Sequence, residues 1–138
     1  MPVTIRLTKN FWLDEFLVSD KHPDLIRDAK LTNEEIDKLF YLSSFCLQPL
    51  RNKFGPCKIN SGYRTKQLNA AIGGSSRSQH MLAEASDVVF PKSNLLDVYA
   101  HLTGEVKWPG EVILYKSRNF LHVSLPRLNV NMDHFIKE

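Results

Sequence analysis

The chain has 138 residues, 43% of them hydrophobic and 24% charged, which suits one soluble globular domain. Eight Phe, four Tyr and two Trp argue against a disordered tail, and no apolar run approaches the ~20 residues of a membrane span. The net charge is +3, with Lys and Arg scattered from Arg6 to Lys137; that predicts weak attraction to a polyanion such as an anionic cell wall and no dedicated nucleic-acid domain.

The opening MPVTIRLTKNFWLDEF lacks a signal-type apolar stretch, so the expectation is a chain made in the cytoplasm. Residues 1–31 read as irregular, with Phe11, Leu13, Phe16 and Leu17 anchoring a short helix. Thr32 and Glu35 match a capping box, predicting a helix over 33–51. Its apolar stripe is Ile36, Leu39, Phe40, Leu47 and Leu50, with Cys46 alongside. Pro49 should kink or end it. Cys46 reads first as a buried thiol; a disulfide with Cys57 stays open.

Lys58–Asn60 reads as a strand and Thr65–Ile72 as a helix stopped by Gly73-Gly74. The polar loop Ser75–Gln79 leads to a strand over Asp87–Phe90. Ser93 is expected to cap a helix over Leu95–Leu102, ended by Gly104. Val112–Tyr115 and Phe120–Leu125 read as a hairpin with Lys116–Asn119 as its loop. Helices do not alternate regularly with strands, so the expected class is α+β, with a small antiparallel sheet packed against helices.

Of the five histidines, His22, His101 and His134 have no partner pattern and read as ordinary polar residues. His80 ends a Gly/Ser-rich loop seven residues before Asp87. In the strand Phe120–Leu125, alternation sets Leu121, Val123 and Leu125 on a core face and Phe120, His122 and Ser124 on the other. Two imidazoles and a carboxylate suit a catalytic zinc with an open fourth position. The spacing also arises by chance, so it does not decide alone between a metal site and unrelated residues.

Further motifs stand in order: Ser61-Gly62-Tyr63-Arg64, Leu68-Asn69, Gly73-Gly74-Ser75, Ser78-Gln79-His80, Ala85-Ser86-Asp87 and Phe120-Leu121-His122-Val123-Ser124. This series resembles the M15 zinc peptidases, the D-Ala-D-Ala carboxypeptidases and peptidoglycan endopeptidases that include phage endolysins. The stretch Phe11–Ser19 is similar to the family's opening. The resemblance implies a fold whose sheet carries one Zn2+ per chain, held by His80, Asp87 and His122. It implies that Arg64 meets a substrate carboxylate or the developing oxyanion, a task suited to a guanidinium fork. Ser78 and Gln79 would meet the substrate or orient the His80 loop. Tyr63 would pack structurally, and Gly62 would serve the turn.

The chain departs from the family at the proton-transfer positions, with Asn119 where E-x-x-H needs Glu and Phe120 where H-x-H needs His. Hairpin geometry offers a substitute. If Tyr115 pairs with Phe120 and Ile113 with His122, then Glu111 pairs with Ser124 and lies diagonal to His122. Glu111 then reads equally as a general base or a solvated strand-start carboxylate. Tyr115, on the same face, is a hydrogen-bond donor to the reaction intermediate, and Glu84 is a weaker candidate base.

The resemblance implies a peptidase of peptidoglycan stem peptides, carboxypeptidase or endopeptidase, in phage-type wall lysis. It would be a monomer without nucleic-acid or membrane partners, reaching the wall when released. The alternative is a catalytically impaired zinc-binding relative that binds the wall or serves as a virion part.

Overall fold

The computed structural model describes residues 4–128 and 132–138. Thr32 caps the first long helix as its sequence predicts. The Glu35 N–H donates to Thr32 Oγ1 at 3.1 Å, and the Thr32 N–H donates back to Glu35 Oε1 at 2.9 Å. Helix α1 (Asn33–Leu42) then runs through a wide π turn, Ser43–Leu47, into α2 (Gln48–Phe54). Pro49 does not end this helix. The Gln48 N–H reaches five residues back to the Ser43 carbonyl, and Pro49 enters in the first turn of α2, where a missing N–H costs little. The chain leaves α2 at Gly55, with φ +89°.

Of the expected stripe, Leu39, Leu47 and Leu50 are buried with Cys46 alongside and Ile36 is partly buried, whereas Phe40 is 44% exposed and lies edge-on to Tyr41; Leu42 is buried as well. Cys46 and Cys57 are both free thiols, so no disulfide joins them. Burial raises both, Cys57 to about 12, which makes them inert at neutral pH.

The remaining helices are short. Thr65 caps α3 (Lys66–Ala71), and Gly73 follows at φ +73°. The cap of α4 (Leu95–Ala100) is Asn94, not Ser93: Asn94 Oδ1 accepts from the Leu96 N–H, while the Ser93 hydroxyl donates to the Phe54 carbonyl at 2.6 Å. Gly104 falls inside a second π turn, His101–Glu105, and the reversal comes later, at Lys107 with φ +56°.

Among the described residues five strands form one sheet, ordered β1-β2-β4-β3-β5. They are β1 (Lys58–Ser61), β2 (Ala85–Val89), β3 (Val112–Tyr115), β4 (Phe120–Ser124) and β5 (His134–Lys137). The first four pair antiparallel as expected, but β5 lies parallel to β3, so the sheet is mixed. Strand β2 starts two residues ahead of its expected position, because Ala85 and Ser86 pair with Ser124 and Val123. The class is α+β.

One face of the sheet carries Val88, Val112, Leu114, Leu121 and Val123. These pack against Phe16, Leu39, Leu42, Leu47, Val98 and Leu102 in the main core. The core fixes the pleat, and the pleat turns Asp87, Ile113, Tyr115, Phe120 and His122 to the opposite face.

Candidate metal centre and its cleft

Antiparallel pairing sets Asp87 directly across from His122. Asp87 Oδ1 lies 2.9 Å from His122 Nδ1 and 3.3 Å from His80 Nε2. His80 comes from a short turn, Gln79–Leu82, capped by Ser78 Oγ, which accepts the His80 N–H at 3.2 Å. The turn ends at Ala83 with φ +58°.

His80 is 3% exposed, and its Nδ1 lies 2.8 Å from the Gly62 carbonyl. A carbonyl only accepts, so Nδ1 carries a proton and Nε2 is the ring nitrogen turned toward Asp87. Gly62 packs tightly on its other side: a Cβ there would stand 2.5 Å from the Phe16 carbonyl oxygen.

One ligand atom from each of His80, Asp87 and His122 lies within 4.8 Å of the others, a spacing that can hold a metal ion. The chemistry of the donors agrees. His80 offers Nε2 because Nδ1 is taken. His122 offers Nδ1, since Glu111 Oε1 sits 3.1 Å from its Nε2 and holds the other ring proton. A cation would replace the proton that His122 otherwise carries between two carboxylates. Burial alone would lower His122, but Asp87 and Glu111 lift it to about 9. Asp87 is buried too, which should raise it, yet His80 and His122 hold it well below the usual carboxylate range. Glu111 is also held low, first by its hydrogen bond to His122.

The hairpin has the expected register, Tyr115 opposite Phe120 and Ile113 opposite His122. Ser124 is fully buried and does not line the cleft. Instead it fixes Glu111: the Glu111 N–H donates to Ser124 Oγ and the Ser124 N–H to the Glu111 carbonyl, both at 3.0 Å. Gly110 allows the corner, since a Cβ there would meet the Ser124 carbonyl oxygen. Glu111 is thus held at its backbone by Ser124 and at its carboxylate by His122.

Asn119 has φ +57°. It closes the hairpin turn in a left-handed conformation that Asn adopts at less cost than Glu. A glutamate at the E-x-x-H position would therefore strain the turn. Phe120, at the other departure, stacks on Tyr115 with ring centroids 4.5 Å apart.

The centre lies in a cleft of about 990 Å³, lined also by Arg64, Ser78, Gln79, Glu111 and Tyr115. Arg64 is held on three sides. Its Nε donates to Ser61 Oγ and its Nη1 to Asn69 Oδ1, each at 3.2 Å, and its Nη2 lies 3.5 Å from Asp87 Oδ2. Asn69, buried, also ties the Ser75 carbonyl. Gln79 spends its amide on Glu84 Oε1 and the Leu125 carbonyl, so it is fixed in the wall. Glu84 does not reach the imidazoles: Lys38 Nζ at 3.0 Å and Arg127 Nε at 3.1 Å take it up, which removes it as a base.

Sequence reasoning missed Asn69, Arg127 and the contribution of His22 to the cleft wall. Only the Leu68-Asn69 motif hinted at any of them. His101 pairs with Glu105 at 3.2 Å, and His134 Nε2 lies 3.0 Å from the Gly110 carbonyl, both away from the metal ligands. Among curated proteins, none matches the chain. A family model described as Peptidase M15 matches residues 20–124, a span that contains every residue of the His80–Asp87–His122 cluster.

Proposed function

The chain belongs to the M15 peptidase family, and from that premise we propose that it is a zinc-dependent peptidase acting on peptidoglycan stem peptides. The observation that carries this reading is the convergence of His80 Nε2, Asp87 Oδ1 and His122 Nδ1 at the floor of a cleft, beside an anchored Arg64. When bound there, zinc supplies Lewis acidity, polarising a carbonyl and activating water near neutral pH.

The chain's own residues do the rest. His80, Asp87 and His122 hold the ion. Glu111 is half-buried, ionised and fixed at its backbone, so it takes the proton of the attacking water and returns it to the leaving amine. Tyr115 keeps its phenolic proton, because burial, then Asp87 and Glu111, raise it. It donates to the oxygen on which negative charge develops. Arg64 binds a substrate carboxylate or that same oxygen. Ser78 orients the His80 turn.

We place this activity in phage-type wall lysis by a monomer made in the cytoplasm and released to the wall, to which a charge of +3 draws it. A second reading is a zinc-holding relative that binds the wall without cutting it. Asn119 favours it, since the usual carboxylate position is closed.

Digestion of purified peptidoglycan by zinc-loaded protein, with a chelated control and mass spectrometry of the products, separates the two. Chelator-sensitive release of D-Ala or of cut cross-links is expected, and the product names the bond. No product from protein with one zinc per chain overturns the peptidase reading in favour of the second.

A further inference from the structure

The β3–β4 hairpin closes one end of the cleft with a layered stack. Tyr115 and Phe120 pair across the hairpin, and their rings stack with centroids 4.5 Å apart. Lys137 of β5 lies over the Tyr115 ring at 5.7 Å, and Arg118 of the turn lies over the Phe120 ring at 5.2 Å. Both rings and Arg118 line the cleft. The negative face of a ring attracts a cation, so Phe120 gives the long Arg118 side chain a seat at the cleft wall. That contact leaves unpaired the five N–H donors, which lie at the edge of the guanidinium plane. Arg118 is exposed and makes no ion pair among the described residues, so those donors are within reach of a ligand.

The carboxylates of the cleft are mostly spent. Asp87 serves Arg64 and two imidazoles, and Glu111 serves His122. That leaves Asp20 in the wall, against Lys21, Arg77 and Arg118. The cleft thus keeps an excess of positive charge for an anionic ligand. Lys21 and Arg77 are exposed too, but among the described residues neither lies over a ring, so Arg118 is the one with a fixed seat. Sheet order sets Arg64, which follows β1, and the hairpin on opposite sides of Asp87. Phe120 and His122 share a face of β4 two residues apart, a step of about 7 Å, which is also the reach of about two residues of extended peptide.

We infer that Arg118, seated over Phe120, is a specificity residue that binds a substrate carboxylate at the hairpin end of the cleft, so that the cleft selects peptides with an acidic group about two residues from the scissile amide. The inference deepens the peptidase reading and rests on it. A guanidinium that keeps its edge free meets a carboxylate through two parallel hydrogen bonds, the strongest form of such a pair. The competing role for Arg118 is that of a solvated turn residue that only covers the Phe120 ring.

Soluble stem tetrapeptides with all carboxylates free, or with one amidated in turn, separate the roles. Metal-replete wild type, Arg118→Gln and Lys116→Gln are compared by calorimetry and by kcat and KM. Lys116 sits on the same turn and carries the same charge, but it pairs with Glu138 and does not border the cleft. In wild type, amidating one particular carboxylate weakens binding about tenfold. Arg118→Gln binds the all-free peptide about tenfold more weakly, with KM raised and kcat kept, and the same amidation then costs nothing further. Lys116→Gln matches wild type. Wild-type binding of every peptide by Arg118→Gln, or an equal loss in Lys116→Gln, would overturn the inference. Binding that depends on Arg118 and on that carboxylate, with no peptide cut, keeps this residue assignment and removes the peptidase reading. Cutting at equal efficiency by wild type and Arg118→Gln does the reverse.

Discussion

Glu84 and Asp87 lie three residues apart, just before β2 and inside it. Both carboxyls are largely buried, both are held below their ordinary range, and both meet basic side chains. Asp87 meets the imidazoles of His80 and His122, with Arg64 on its other oxygen; Glu84 meets Lys38 and Arg127. The difference lies in what those partners can give up. An imidazole nitrogen that gives up its proton offers a lone pair, so a cation can take the proton's place. Ammonium and guanidinium groups keep theirs and have no lone pair to offer, so the Glu84 cluster can only be an ion-pair clamp. A buried carboxylate with cationic neighbours becomes a metal ligand or a clamp according to the chemistry of those neighbours.

The largest effect that can break this contrast is on the metal. His122→Ala should lose zinc and activity together, by more than the about 10–100-fold in affinity that removal of an outer partner costs. Arg64→Ala should keep zinc and lose turnover, because Arg64 touches Asp87 only through the oxygen that His122 does not use. Metal analysis of the purified variants decides, and full zinc stoichiometry in His122→Ala would refute the ligand assignment.

Next in size is Glu111→Gln. The expected fall in kcat is about 10²–10⁴ with zinc still bound, the usual cost of losing a positioned general base. Adding Asn119→Glu should not restore the rate. Position 119 has φ +57°, and a glutamate there costs about 1–2 kcal/mol of stability without turning toward the ligands. Recovery of turnover in the double variant would show that the hairpin turn can carry the base after all.

These residues also mark how far the sequence could be read. The Thr32–Glu35 cap and the β3–β4 register were legible because both are local, set by side chains three residues apart or by a short turn. The ligand set was legible only through the ordered motifs, since His80 and His122 meet across a long stretch of chain. Strand β5 was not legible. His134–Lys137 is exposed throughout, shows no alternation, and pairs parallel to a strand remote in sequence. Arg127 was hidden for a similar reason: its anchor is Glu84, 43 residues away, and nothing local announces it. Pro49 misled because propensity marks a break, while the π turn ahead of it absorbs the proline within one helical run.

Glu84→Gln gives the smallest effect and the sharpest version of the contrast, since it should leave zinc stoichiometry intact and show itself in stability. Burial would raise the Glu84 carboxyl, but hydrogen bonds from Gln79, Lys38 and Arg127 outweigh it and hold the group below its ordinary 4.5. The unfolded chain therefore takes up the proton first as pH falls. The clamp's contribution is fully present above about pH 4.5 and drains away as pH drops through the lower folded-state value. The partners are partly exposed, so the loss in Glu84→Gln at pH 7 should be about 1–2 kcal/mol, between surface and buried pairs. Denaturant titrations of both proteins at neutral and acid pH should show that gap closing below pH 4.5. A gap that stays constant to pH 3 would mean that the carboxylate charge is not what the clamp uses, and that Glu84 acts through packing and its neutral hydrogen bonds.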